Sequence, residues 1–203
     1  MNTSTSKRTW IRRGRRAERP VGAGPLPPNT PLRRGIEWLI IVVVALTVAF
    51  VVKTFVLQAF FIPTGSMEPT LMINDRILVD KLSYDMHAVH RGDIVVFTNP
   101  MSGEPQIKDL VKRVIGLPGE TISSNAAGQV VINGHPLRES YLVKGIAPGP
   151  PIHTQTIKAG YVFMMGDNRS DSEDSRYFGQ VRESTIVGRV VVRVWPLGRF
   201  HFF

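Results

Sequence analysis

From residue 38 to residue 52 the chain runs WLIIVVVALTVAFVV without a charge, and no other feature narrows the possible folds as much. With Glu37 and Lys53 near the two interfaces, residues 36–57 give about 33 Å of helix, enough to cross a bilayer. The net charge of +9 invites a nucleic-acid partner, but its distribution argues against one. Residues 1–34 hold nine basic side chains and one acid, whereas the remaining 169 residues hold 16 basic and 15 acidic ones. The body is therefore close to neutral, and no nucleic acid is expected as a partner. A positive block ahead of an apolar span instead predicts a single-pass protein of the cell membrane, its N-terminus cytoplasmic and the rest extracytoplasmic. Trp38 suits an interfacial anchor, and Lys53 can snorkel to the far surface. The best small-x-small site, Thr47-Val48-Ala49, lies in the middle of the apolar run. A cleaved secretory signal carries that site after the run, so the span reads as a retained anchor.

Three regions follow. Residues 1–34 form a basic cytoplasmic tail and linker, with five prolines and two glycines between positions 20 and 31. Residues 36–57 form the transmembrane anchor, and residues 58–203 an extracytoplasmic domain. That domain reads as antiparallel and mainly β. Residues 76–80, 93–97, 110–115, 129–132, 161–165 and 186–194 are short runs rich in Val, Ile, Leu, Phe and Tyr. Turn signals bound them, among them Leu117-Pro118-Gly119, Asn133-Gly134 and Gly166-Asp167-Asn168. No stretch after Phe61 keeps a helical period over three turns, which speaks against a βαβ arrangement. The segment 145–151, with its three prolines, reads as a loop.

The chain offers a restricted chemical kit. It has no cysteine, so thiol nucleophiles, disulfides and thiolate metal sites are excluded. Its five histidines lack the spacing of a metal motif, and neither a phosphate-binding glycine loop nor a Gly-x-Ser-x-Gly elbow occurs. No metal or cofactor is expected. Among nucleophilic mechanisms, a serine paired with a lysine is what remains. Ser66 sits in a turn bracketed by Pro63, Gly65 and Pro69, with apolar neighbours unusual for a surface serine. Lys112 falls midway along an apolar strand-like run, where alternation puts it on the face of Leu110 and Val114. An ordinary surface lysine on a half-buried strand has the same pattern, so spacing alone leaves both readings open. To act as a base near neutral pH the amine must fall from about 10.4 to about 7–8, a differential cost of roughly 4 kcal/mol that burial must supply.

Several ordered boxes carry a resemblance. They are Pro63-Thr64-Gly65-Ser66-Met67 with Pro69-Thr70-Leu71, then Arg91-Gly92-Asp93-Ile94-Val95-Val96-Phe97, then Val111-Lys112-Arg113-Val114-Ile115-Gly116-Leu117-Pro118-Gly119-Glu120. Gly166-Asp167-Asn168-Arg169-Ser170-Asp171-Ser172 with Asp174-Ser175-Arg176 follows, and residues 188–197 (GRVVVRVWPL) close the series. In this order they resemble the motif boxes of bacterial type I signal peptidases, serine proteases with a Ser-Lys dyad. Any one box is a weak signal, whereas the ordered set is specific.

The resemblance implies a membrane-bound serine endopeptidase that removes N-terminal signal peptides from exported preproteins. It assigns Ser66 as nucleophile and Lys112 as general base. The oxyanion hole would be the Ser66 N–H with the Thr64 hydroxyl, at a position where many members carry serine. Ser172 would hydrogen-bond the Lys112 ammonium, Asp174 and Arg176 would form a structural pair beneath the site, and Asp167 would support it nearby. Phe60, Ile62 and Val111 would line shallow pockets for small side chains at the substrate's −1 and −3 positions. Secreted preproteins and membrane lipid are then the partners. Ser66 is only nine positions beyond Leu57, at most about 30 Å of extended chain, which keeps the nucleophile near the outer interface. Two other readings stand beside this one. One is a protease of the same fold with a single dedicated substrate. The other is an inactive anchored domain serving assembly, against which both Ser66 and Lys112 are present.

Overall fold

The computed structural model describes residues 31–101, 108–143, 145 and 147–203. The basic tail and most of the proline-rich stretch lie outside these residues. The apolar run is helical: α1 spans Pro31–Val51 and is long and apolar enough to cross a membrane. Proline opens this helix, its fixed φ suiting a first turn whose N–H groups have no partner within the helix. A single π-helical turn, Val52–Val56, follows, and Leu57 already belongs to the first strand.

The rest is mainly β, as the sequence predicts. Among the described residues twelve strands follow α1: β1 (Leu57–Phe61), β2 (Arg76–Asp80), β3 (Ile94–Thr98), β4 (Asp109–Gly116), β5 (Thr121–Ser124), β6 (Val130–Ile132), β7 (His135–Pro136), β8 (Gln155–Thr156), β9 (Tyr161–Met165), β10 (Val181–Arg182), β11 (Ile186–Trp195) and β12 (His201–Phe202). The larger sheet has the order β1-β2-β11-β3-β4-β9-β10, with β12 on β11, and the smaller one β7-β6-β5-β8. All the pairings are antiparallel. Runs of β-branched residues make the inner strands: Ile94, Val95, Val96 and Phe97 are all buried, as expected of a strand covered on both faces. β6 and β7 are joined by Asn133-Gly134, both at positive φ (50° and 82°), the residues a two-residue hairpin turn favours. The strand at 57–61 is hidden in sequence because it continues the apolar run of the anchor.

Among the described residues, three apolar clusters fill the interior. One gathers Ile62, Met67, Leu71, Ile77, Val79, Ile94, Val96 and Val190 beneath the serine turn. A second lies between the smaller sheet and the β4–β9 region, around Ile115, Ile122, Ile157 and Phe163. The third, around Val95, Phe97, Val114 and Met164, backs the centre of the larger sheet. β4 contributes to the last two, and Val111 packs against the first. A side chain on β4 is thus held by packing on every side, which is the rigidity a precisely placed group requires.

Candidate active site

Beyond β1 the chain stays extended through Thr64 and then makes one 3₁₀ turn, Gly65–Met67, closed by the Glu68 N–H donating to the Gly65 carbonyl at 3.0 Å. Met67 (1% exposed) plugs this turn into the core beside Leu71. A second loop grips it from outside. The Asn168 N–H donates to the Ser66 carbonyl (3.0 Å), and Asn168 Nδ2 to the Gly65 carbonyl (3.2 Å). That approach is possible because residue 166 is glycine: a Cβ there would sit 2.4 Å from the Ser66 carbonyl oxygen and 2.3 Å from Ser172 Oγ.

Lys112 comes from the middle of β4, opposite Val95 on β3. It is only 3% exposed, and its Nζ lies 2.6 Å from Ser66 Oγ. Burial lowers its pKa from 10.5 to about 8, and Arg176 pushes the same way, against Asp174, Glu173 and Asp171. The amine so reaches the range that the sequence analysis sets as the condition for a base. At pH 7 such a shift raises the neutral fraction about 300-fold, to roughly one molecule in ten. A neutral Nζ at this distance can accept the hydroxyl proton and leave an alkoxide-like nucleophile.

The floor beneath the pair is built from charge and paired throughout. Asp174 is fully buried and caps the short helix α2 (Ser175–Phe178) by accepting from the Arg176 N–H. Its carboxylate also accepts from the Gly166 N–H (3.0 Å), from Ser172 Oγ (2.8 Å), and from Arg176 through Nε (2.8 Å) and Nη2 (2.7 Å). The Ser172 hydroxyl thus donates to Asp174, where the resemblance implies a bond to Lys112. Asp167 is held by Arg113 through Nε (2.8 Å) and Nη2 (2.7 Å), and it accepts from the Thr70 hydroxyl (2.5 Å). Arg113 is the residue the sequence analysis overlooks. Its signal is a second cation inside an apolar strand, which burial permits only when a carboxylate answers it.

Thr64, Phe60, Ile62 and Val111 line one cleft together with Ser66 and Lys112, a space of roughly 330 Å³. Ile62 is buried in its floor, while Phe60 and Val111 are half-buried against the first core. Residues 166–174 hold the serine turn through the Asn168 contacts above and do not line this cleft. Among the described residues, no group of three or more His, Cys, Asp or Glu side chains is placed to hold a metal ion.

The model for signal peptidases of the peptidase S26 family matches residues 35–195, a stretch that contains every residue of this site. The chain belongs to the signal peptidase family. It is 41% identical to the signal peptidase I of Leptolyngbya laminosa, with 84% of this chain and 83% of that protein covered. Signal peptidase I of Mycobacterium tuberculosis is 31% identical (81% and 74% covered), and signal peptidase IB of Staphylococcus aureus 32% (82% and 93%). A solved signal peptidase I from Enterococcus faecalis V583 shares 34% identity, covering 51% of this chain and 97% of its own, at a TM-score of 0.44. Membership makes this chain a serine endopeptidase of the signal peptidase I type, with one apolar N-terminal helix suited to membrane anchoring.

Proposed function

We propose that this peptidase cleaves N-terminal signal peptides from exported preproteins with Ser66 as nucleophile and Lys112 as general base. The supporting observation is the 2.6 Å contact between Ser66 Oγ and a buried Lys112 whose pKa lies near 8. Neutral Lys112 takes the hydroxyl proton as Oγ bonds to the scissile carbonyl carbon. The tetrahedral oxyanion is met by the Ser66 N–H and the Thr64 hydroxyl. As the C–N bond breaks, the Lys112 ammonium returns its proton to the leaving amine, and an acyl-serine ester remains. Lys112 then deprotonates a water as its oxygen attacks the ester carbonyl, and the Lys112 ammonium returns that proton to Ser66 Oγ as the acyl C–O bond breaks, releasing the free acid and restoring serine and neutral amine. Ser172, Asp174, Arg176 and Asp167 hold the frame in which this occurs. They touch the dyad or the loop that grips it, and are not themselves part of the proton path.

The cleft lined by Phe60, Ile62 and Val111 is apolar and shallow enough to favour small side chains at −1 and −3 and to reject bulk by steric clash. A cytoplasmic N-terminus, a single span over the apolar helix and an extracytoplasmic catalytic domain fit the charge asymmetry of the sequence. Lipid is the second partner. Trp195, Leu197, Phe200 and Phe202 are all more than half exposed at the end of β11 and beyond, and aromatic side chains suit a membrane interface. The test is cleavage of a fluorogenic peptide carrying an A-x-A site by the full chain in detergent micelles. Ser66→Ala and Lys112→Ala are expected to abolish it while both proteins stay folded. Retained turnover in either variant would refute the dyad.

A further inference from the structure

Outside the dyad, one contact has no role in the steps above: Arg176 carries a donor that Asp174 does not use. Its Nη1 donates to the carbonyl of Pro148 at 3.0 Å, in a segment the sequence marks only as a loop. The next residue, Gly149, has φ +71°, and a Cβ there would lie 2.3 Å both from Arg176 Nη1 and from the Arg169 carbonyl oxygen. Glycine alone permits this approach. Pro148 is in turn seated on the turn between β5 and β6. A Cβ on Gly128 (φ +77°) would meet the Pro148 ring at 2.4 Å and 2.5 Å. That turn is itself braced by Asn125 Oδ1, which accepts from the Ala127 and Gln129 N–H groups. A continuous line of contacts so runs from a hairpin of the smaller sheet to the carboxylate beneath the lysine.

We propose that Pro148 and Gly149 are positioning residues that clamp Arg176 onto Asp174 and thereby fix the charge balance under the dyad. This role of the clamp presupposes Lys112 as the general base proposed above. Four charged groups bear on Lys112: Asp174, Glu173 and Asp171 favour its protonated form, and Arg176 opposes them. Arg176 does so from a fully buried side chain bonded at Nε and Nη2 to Asp174. A guanidinium pushed off Asp174 leaves the carboxylate's charge less offset, so the lysine holds its proton to higher pH.

The experiment is the pH dependence of kcat/KM for the A-x-A peptide between pH 6 and 10, on the full chain in detergent. Gly149→Ala and Gly128→Ala are compared with wild type. Gly134→Ala serves as control, since it imposes the same left-handed strain (φ +82°) with nothing within 4 Å of the added Cβ. Gly149→Ala is expected to move the midpoint up by about half a pH unit or more, lowering the rate at pH 7 about three- to tenfold while the high-pH plateau stays within about twofold. Gly128→Ala should move it the same way by less, and it carries the test if Gly149→Ala does not fold. Gly134→Ala should leave the midpoint in place. A loss by one factor at every pH, with an unmoved midpoint, makes the segment merely structural and overturns the clamp alone. A wild-type profile without a midpoint near 8 overturns the base assignment and the clamp with it.

Discussion

Lys112 and Arg113 are adjacent on β4 and nearly equally withdrawn from water, at 3% and 8% exposure, yet their surroundings are opposite. Arg113 reaches Asp167 with two donors, gives a third to the Gly92 carbonyl, and lies 4.1 Å over the ring of Tyr141. Lys112 faces the neutral hydroxyl of Ser66, and the nearby carboxylate that would favour its charge, Asp174, is already shared with Arg176. A buried cation with a bidentate partner stays charged and holds two loops together. A buried amine without one sheds its proton at accessible pH. One strand so holds a paired guanidinium, which stays charged in either setting, beside an amine whose proton burial loosens.

Erasing the difference on the lysine side should have the largest effect. Lys112→Arg keeps the charge and removes the ability to lose a proton. Peptide cleavage is expected to fall by roughly 10²- to 10⁴-fold, and near-normal turnover would sink the contrast. On the arginine side, Arg113→Met leaves the fully buried Asp167 without its cation. Urea denaturation is expected to register a loss of about 3–5 kcal/mol, with much of it recovered when Asp167→Leu is added. A cost below about 1 kcal/mol for the single variant would show that the ion pair is not what holds this loop. The gentlest discriminator is stability against pH. The folded lysine titrates near 8, below its ordinary 10.5, so between these values the unfolded chain binds the extra proton. Stability should therefore rise with pH across this window, by about 3 kcal/mol in all. Lys112→Met should lack that rise, and parallel curves for the two proteins would place the lysine's pKa where it is in water.

How far the sequence reveals this arrangement depends on the range of each interaction. Strands β2 and β9 coincide with the apolar runs at 76–80 and 161–165, because alternation and flanking turns are local signals. Strands β8, β10 and β12, of two residues each, have too little sequence to show a period, and their pairing comes from tertiary contact. β5, with the sequence TISS, is too polar to stand out. Ser66 and Lys112 draw attention through chemistry misplaced in apolar surroundings, and 46 positions apart they meet at 2.6 Å. Tyr141 and the Glu139–Arg169 ion pair give no such warning, and Arg113 signals only that some carboxylate must answer it. The two ion pairs join residues 54 and 30 positions apart, and a local pattern cannot say which carboxylate a cation will find. The bond from Ser172 to Asp174 has the same origin: both residues are evident in sequence, while the direction of one hydroxyl depends on how Gly166 and Arg176 crowd the carboxylate.

The central claim is that Lys112, its charge disfavoured by burial more than nearby carboxylates favour it, is the base for Ser66, and the pH dependence of kcat/KM tests it most directly. Between pH 6 and 7 the rate on an A-x-A peptide should climb close to tenfold, and between pH 7 and 8 about fivefold more, bending to a plateau above the lysine's pKa of about 8. A rate that is flat from pH 6 to 9 would contradict the account, since no group that must lose a proton in that range would then be driving the attack.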